Sequence, residues 1–198
     1  MVVIVMKQNK IAITGGIGSG KSTVCKILKE KGYAVFSCDE IYADLLSNGS
    51  LIGELIKAFG ADILDSSGAL NRKMLSEIVF ADEKQRERLN KITHAKIFEE
   101  MFRRAEEISG TVFFEVPLLF EGNYQNLFDN VIVVLRNNKS RVESIKQRDN
   151  LSEVEVLKRI KNQYNYKNSK FAQYYVIHND GKINDLCDII DKMLLKIT

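Results

Sequence analysis

The sequence predicts an α/β fold with a five-stranded parallel sheet flanked by helices, and two observations carry that expectation. Residues 11–14, 33–37, 111–116, 131–135 and 174–177 form short runs that are almost continuously apolar, β-branched or aromatic. Runs without polar alternation are what strands covered on both faces require. Segments with helical spacing separate these runs, and strands alternating with helices imply a doubly wound arrangement.

The elements follow in order. Residues 21–31 place Val24, Ile27 and Leu28 on one side and stop at Gly32, a helix-ending signal. The stretch from 39 to 110 is too long for one crossover helix, so it is expected to hold several, the last a long charged helix over 82–108 that ends before Gly110. Residues 152–163 read as a further helix with basic flanks. Residues 183–195 carry Ile183, Leu186, Ile190, Met193 and Leu194 on one stripe, the mark of a helix laid on a sheet. The chain of 198 residues fits one medium domain, without repeats or low-complexity tracts.

Composition narrows the function classes. The net charge of +3 is too mild to argue for nucleic acid. The apolar start at residues 1–6 is far shorter than a membrane span of about 18 residues, and lacks the charged start and long apolar region of a signal peptide. Three scattered cysteines and two histidines fit neither a disulfide framework nor a structural zinc site, and suit a reducing compartment. The expectation is a cytoplasmic protein that binds neither nucleic acid nor membrane.

The sharpest motif is Gly15-Gly16-Ile17-Gly18-Ser19-Gly20-Lys21-Ser22-Thr23, which satisfies G-x-x-x-x-G-K-[ST] between an expected strand and an expected helix. Glycines let the loop turn its backbone N–H groups toward a phosphate, and the helix that follows adds its positive N-terminal end. Lys21 can reach the β- and γ-phosphates, and the Ser22 hydroxyl can ligate Mg²⁺. The motif implies a nucleoside triphosphate.

Other residues point to phosphoryl transfer. A GTPase would need a base-reading N-K-x-D, and none follows a late strand. Asp39, just past the second strand, stands where α/β sheets collect ligands and can accept a hydrogen bond from an attacking hydroxyl; alternatively it caps a helix over 40–46. Arg141, Arg148, Lys158, Arg159 and Lys161 cluster in and before the 152–163 helix. They read as a cationic flap over the triphosphate, or individually as a solvated helix face. Glu115 closes the third strand, either holding a magnesium-bound water or exposing a carboxylate there. The apolar turn with Pro117, Leu118 and Glu121 packs an acceptor, or is core.

Taken together, these stretches resemble the dephospho-CoA kinases, P-loop kinases of the nucleoside-monophosphate-kinase type. The resemblance rests on residues 13–24 (ITGGIGSGKSTV), 35–41 (VFSCDEI), 68–72 (GALNR) with Val79-Phe80, 116–121 (VPLLFE), 147–152 (QRDNLS), Arg159-Ile160 with Gln163, and 176–181 (VIHNDG). It implies Mg²⁺ as cofactor, and ATP and dephospho-CoA as substrates, with the γ-phosphate passing to the ribose 3′-hydroxyl in the last step of coenzyme A synthesis. It implies a single domain: a core of residues 1–40, 110–139 and 171–198, a helical CoA-binding subdomain over 41–109, and a lid over 140–170. Lys21, Asp39 and Arg148 would be catalytic. Gly16, Gly18, Ser19, Gly20, Ser22, Thr23, Asn179 and Gly181 would join Lys21 and Arg148 around ATP, the last two beside the adenine. Arg72, His94, Pro117, Leu118 and Glu121 would contact the acceptor with Asp39, and Arg141 and Arg159 would belong to the lid. Ser37, Asn71, Ala95, Ser144, Gln173 and Tyr174 depart from the family pattern, and Arg141, one turn from Ser144, is the candidate replacement for a lid charge. A kinase for another nucleotide or small hydroxyl acceptor is the alternative within the class, and a nucleotide-dependent switch the alternative outside it.

Overall fold

A computed structural model describes residues 8–166 and 171–197, with backbone alone at Phe80 and Ala81. The apolar run 1–6, the last part of the expected lid (167–170) and the Phe80 side chain lie outside the described residues. The chain divides into two compact units, Met1–Phe36 with Glu107–Thr198, and Ser37–Glu106.

The first unit holds the sheet. Strands β1 (Asn9–Thr14), β2 (Ala34–Ser37), β3 (Thr111–Glu115), β4 (Asn130–Leu135) and β5 (Tyr175–His178) lie in the order β2-β3-β1-β4-β5. β1 pairs in parallel with β3 on one side and β4 on the other, and β4 pairs in parallel with β5. The register sets Ile13 opposite Glu115, Thr14 opposite Val133, and Leu135 opposite His178. The carboxyl ends of these strands therefore form one rim, where open α/β sheets bind ligands. Each expected strand is present within one or two residues of its expected bounds.

Helices α1 (Lys21–Glu30) and α8 (Ile183–Ile197) cover the sheet. α1 buries Val24, Cys25, Ile27 and Leu28, and α8 buries Leu186, Ile190, Met193, Leu194 and Ile197, in one core with Ile11, Phe113 and Ile132. Ile183 is the exception to the expected stripe: at the first residue of α8 it is 55% exposed, because the buried face begins one turn later.

This unit also contains α6 (Asn138–Asp149) and α7 (Glu153–Lys161), which pack on each other. The Asn137 side chain caps α6 by accepting from Ser140 N–H. Ser152 and Glu155 cap α7 reciprocally, satisfying two otherwise orphaned N–H groups.

The second unit is helical. It comprises α2 (Cys38–Ser47), α3 (Ser50–Phe59), a short 3₁₀ turn at Ala61–Ile63, α4 (Arg72–Ala81) and α5 (Glu83–Ala105). α5 packs against the other three helices, with Phe98 and Met101 buried in the same unit as Ile41, Leu45, Leu51 and Leu55. Asn71 caps α4 by accepting from Met74 N–H at 3.1 Å, the task an aspartate would perform at that position. Among the described residues, no helix is long and apolar enough to cross a membrane.

Candidate active site

β1 ends at the buried Thr14, and the chain turns through residues 15–20 before α1 begins. Gly20, at the N-cap of α1, has φ +92 and ψ 25, a left-handed conformation that side-chain-bearing residues resist. A Cβ there would also run into Asn179 Nδ2. That amide donates to Ser19 O at 2.9 Å, while the Asn179 backbone N–H donates to Leu135 O at 2.8 Å. The residue after β5 thus braces the loop after β1. Ser19 N–H donates to Gly16 O at 3.1 Å, closing the loop on itself.

Lys21 stands at the first position of α1 and folds back across the loop, its Nζ donating to Gly15 O at 2.8 Å. Ser22 is exposed and Thr23 half-buried in the first turn. Ser19 is 1% exposed, and its Oγ has no hydrogen-bond partner among the described residues. Beside it opens a cavity of about 230 Å³ bounded by Gly16, Arg136, Asn137, Tyr166, His178 and Asp180. A glycine-rich turn into a helix N-terminus, with an ammonium ion and a buried hydroxyl beside a cavity, is an anion cradle.

The basic residues divide into two groups. Arg141, on α6, is buried (8% exposed), and its Nε donates to Ile17 O at 2.9 Å. Burial works against the charge and lowers its pKa, yet an arginine stays protonated at any working pH. Its guanidinium lies so close to Gly16 that any side chain there would displace it. Arg148, by contrast, has a side chain 63% exposed and grips its neighbour Asp149 through Nε at 2.7 Å and Nη2 at 3.1 Å. Arg159, on α7, reaches the same carboxylate at 3.3 Å. Arg148 and Arg159 are therefore joined across α6 and α7 by one shared acid. Ser144, also on α6, accepts from Arg136 Nη1 at 2.8 Å.

Glu115, at the end of β3, is half-buried and accepts a hydrogen bond from the Cys25 thiol of α1. Burial, followed by the charge and hydrogen bond of Glu115, pushes that thiol far above its ordinary range, so it remains a neutral donor. In the turn after β3, Pro117 is half-buried, Leu118 exposed and Phe120 buried. Phe120 is the hub of an aromatic group that includes Tyr164 and Tyr174, with ring centroids at 5.1 and 5.5 Å. Glu121 is exposed and accepts from Tyr164 N–H at 3.0 Å. Gly181 lies exposed between β5 and α8.

The second unit carries three of the expected residues. Asp39 is exposed in the first turn of α2, directly after β2 in the chain. The N-cap of α2 is Ser37, so Asp39 is not the cap. Its carboxylate is left exposed at the positive end of a helix. Arg72 is the exposed first residue of α4. His94 lies half-buried on α5, 6.5 Å from the Phe98 ring, and burial lowers its pKa from the ordinary value so that it is neutral near pH 7.

Two functional-looking contacts had no role assigned from sequence. Gln163 accepts from Ile17 N–H at 2.7 Å, and the buried Tyr166 hydroxyl lies 3.4 Å from Thr14 Oγ1. Burial pushes the Tyr166 hydroxyl up to about 12. Gln163 is among the residues that carry the family resemblance, which gives it no role, and Tyr166 has no periodic or compositional signal that would single it out.

Comparison with known proteins agrees with this geometry. The model of the dephospho-CoA kinase family matches residues 9–185. A dephospho-CoA kinase of Fusobacterium nucleatum is 35% identical over 185 residues, spanning 92% of this chain and 95% of that protein. A Thermus thermophilus crystal structure superposes with a TM-score of 0.81 at 30% identity, covering 96% of this chain and 98% of that one. The dephospho-CoA kinase structure from Campylobacter jejuni superposes with a TM-score of 0.64 at 29% identity, again over 96% and 98% of the two chains.

Proposed function

This chain belongs to the dephospho-CoA kinase family, and from that premise we propose how its side chains move the γ-phosphate of ATP onto the 3′-hydroxyl of dephospho-CoA. The enzyme is a phosphotransferase of coenzyme A biosynthesis. The observation that carries the proposal is the braced loop at residues 15–23, with Lys21 over it and helix α1 beginning at its end.

The loop N–H groups and the Lys21 ammonium hold the β- and γ-phosphates of ATP. Asn179 and Gly181 flank the adenine, and the Asn179 amide bonded to Ser19 O keeps the loop in shape while it does so. Mg²⁺ binds hard oxygen ligands and takes only one or two of them from protein when a triphosphate supplies the rest. The exposed Ser22 hydroxyl and the Glu115 carboxylate, held by Cys25, are of that kind and would hold the ion directly or through water. When bound, it neutralises charge on the β- and γ-oxygens.

Asp39 orients the 3′-hydroxyl and takes its proton as the oxygen attacks the γ-phosphorus. The bond from that phosphorus to the β,γ-bridging oxygen breaks, and ADP leaves. Arg148, with Arg141 and Arg159 on the same pair of helices, balances charge on the transferring group, and α6 and α7 act as a lid that excludes water. Arg72, His94, Pro117, Leu118 and Glu121 bind the acceptor. The three cysteines are free thiols, which suits a cytoplasmic setting.

The test is Asp39→Asn. It is expected to leave Mg·ATP affinity nearly intact while lowering phosphoryl transfer about 10²-fold or more, a typical general-base contribution. Equal transfer rates in both proteins would remove Asp39 from the mechanism.

A further inference from the structure

The backbone of Ile17 is held at both of its polar groups by side chains from α6 and from the segment leaving α7. Its N–H donates to Gln163 Oε1 at 2.7 Å, and its carbonyl accepts from Arg141 Nε at 2.9 Å. Gln163 is half-buried, whereas its neighbours at 161, 162, 164 and 165 are exposed. Three residues further on, the Tyr166 hydroxyl meets Thr14 Oγ1 at 3.4 Å in a buried pair, just before the loop begins. The segment 163–166 is therefore stitched to the phosphate loop at its start and at its crest.

A glycine-rich loop has many backbone states, and only a few of them converge its N–H groups on one phosphate. Catalysis by fixed dipoles needs those groups aimed before the charge develops. Gly15, Gly18 and Gly20 all take positive φ, so the loop has no stiffness of its own at these positions. Stiffness is supplied from outside at two places, by Asn179 at Ser19 O and by Gln163 and Arg141 at Ile17.

We propose that Gln163 is a positioning residue of the phosphoryl-transfer site. By accepting from Ile17 N–H it fixes the crest of the loop, so that the N–H groups that follow it face the phosphates. A competent loop then requires α6 and α7 to be seated, because Gln163 and Arg141 arrive together. The proposal rests on the kinase reading above, since it concerns the same loop.

The experiment is amide hydrogen exchange at Ile17 in the ligand-free protein, together with steady-state kinetics. In the wild-type chain the Ile17 amide is expected to exchange well below the rate of an open, solvent-exposed amide. Gln163→Met removes the acceptor at nearly constant volume and is expected to raise Ile17 exchange about tenfold, the loss of one hydrogen bond. The same variant is expected to lower kcat about tenfold while KM for dephospho-CoA stays within about twofold, the signature of lost transition-state alignment. Gln163→Glu keeps an acceptor oxygen and is expected to retain wild-type exchange at Ile17.

Wild-type exchange at Ile17 in Gln163→Met overturns the proposal, as does a wild-type kcat in that variant. Fast exchange in Gln163→Glu overturns it too. If Gln163→Met fails to fold, the wild-type measurement decides: an Ile17 amide exchanging as freely as an open one contradicts the proposal. A wild-type protein without dephospho-CoA turnover would sink the kinase premise while leaving the exchange result standing, so the two failures are distinguishable.

Discussion

Replacing Gly20 by alanine strikes the phosphate loop where two separate costs can be read from the structure. The backbone there has φ +92, and holding an L-residue in a left-handed conformation costs about 1–2 kcal/mol. The new methyl would also collide with Asn179 Nδ2, and moving that amide breaks its 2.9 Å bond to Ser19 O, worth about 1 kcal/mol. The sum is about 2–3 kcal/mol, or roughly 30- to 150-fold in an equilibrium constant. The strain sits in a loop that can relax when empty and must tighten around phosphate, so most of it should appear in nucleotide affinity. Titration calorimetry with Mg·ADP, paired with thermal melting, measures both shares. Asn179→Gly already lacks the bond to Ser19 O and the colliding amide, so adding Gly20→Ala to it should cost only the φ share, about 1–2 kcal/mol. Gly20→Ala with affinity and melting temperature both like wild type would refute the reasoning, and so would a Gly20→Ala loss as large in the Asn179→Gly background as in the wild-type chain.

Two further outcomes follow from the same coordinates. Lys21→Ala removes the ammonium lying over the loop and should weaken Mg·ADP binding about ten- to hundredfold, the range for a charged hydrogen bond, with turnover falling alongside; normal turnover would remove the loop from the mechanism. Glu100 is held to about 2, below its ordinary 4.5, by hydrogen bonds from Arg103 and Arg104. Its folded pKa is depressed, so its contribution is full above about pH 4.5 and fades as pH falls toward 2. Solvent around the pair limits that contribution to at most about 2 kcal/mol. The gap between circular-dichroism melts of wild type and Glu100→Gln should narrow from pH 6 to pH 3, and a constant gap would contradict the assignment.

The strands were legible because their residues are apolar on both faces, a pattern few other elements produce. The phosphate loop was legible because its chemistry demands glycines, a lysine and a hydroxyl in fixed order. Helix α6 carried no such signal: it buries only Arg141 and Ile145, and a helix seated largely by an arginine on a loop carbonyl shows no apolar stripe. The contact that buries Arg141, its hydrogen bond to Ile17 O, joins residues 124 positions apart, and no local pattern announces it. The same distance problem hid the partners of Gln163 and Tyr166, which lie 146 and 152 residues away. The start of α2 was misplaced by two residues because Asp39 is a good cap by type, while Ser37 holds the extended backbone that a cap needs.

The central claim is that this enzyme phosphorylates dephospho-CoA, and ADP release from Mg·ATP tests it most directly. Purified protein would be given dephospho-CoA, AMP, other nucleoside monophosphates, or no acceptor, and the products identified by mass. Acceptor-dependent turnover with dephospho-CoA, yielding coenzyme A, is the expected result. Turnover with a different acceptor, or nucleotide hydrolysis indifferent to every acceptor, would contradict it.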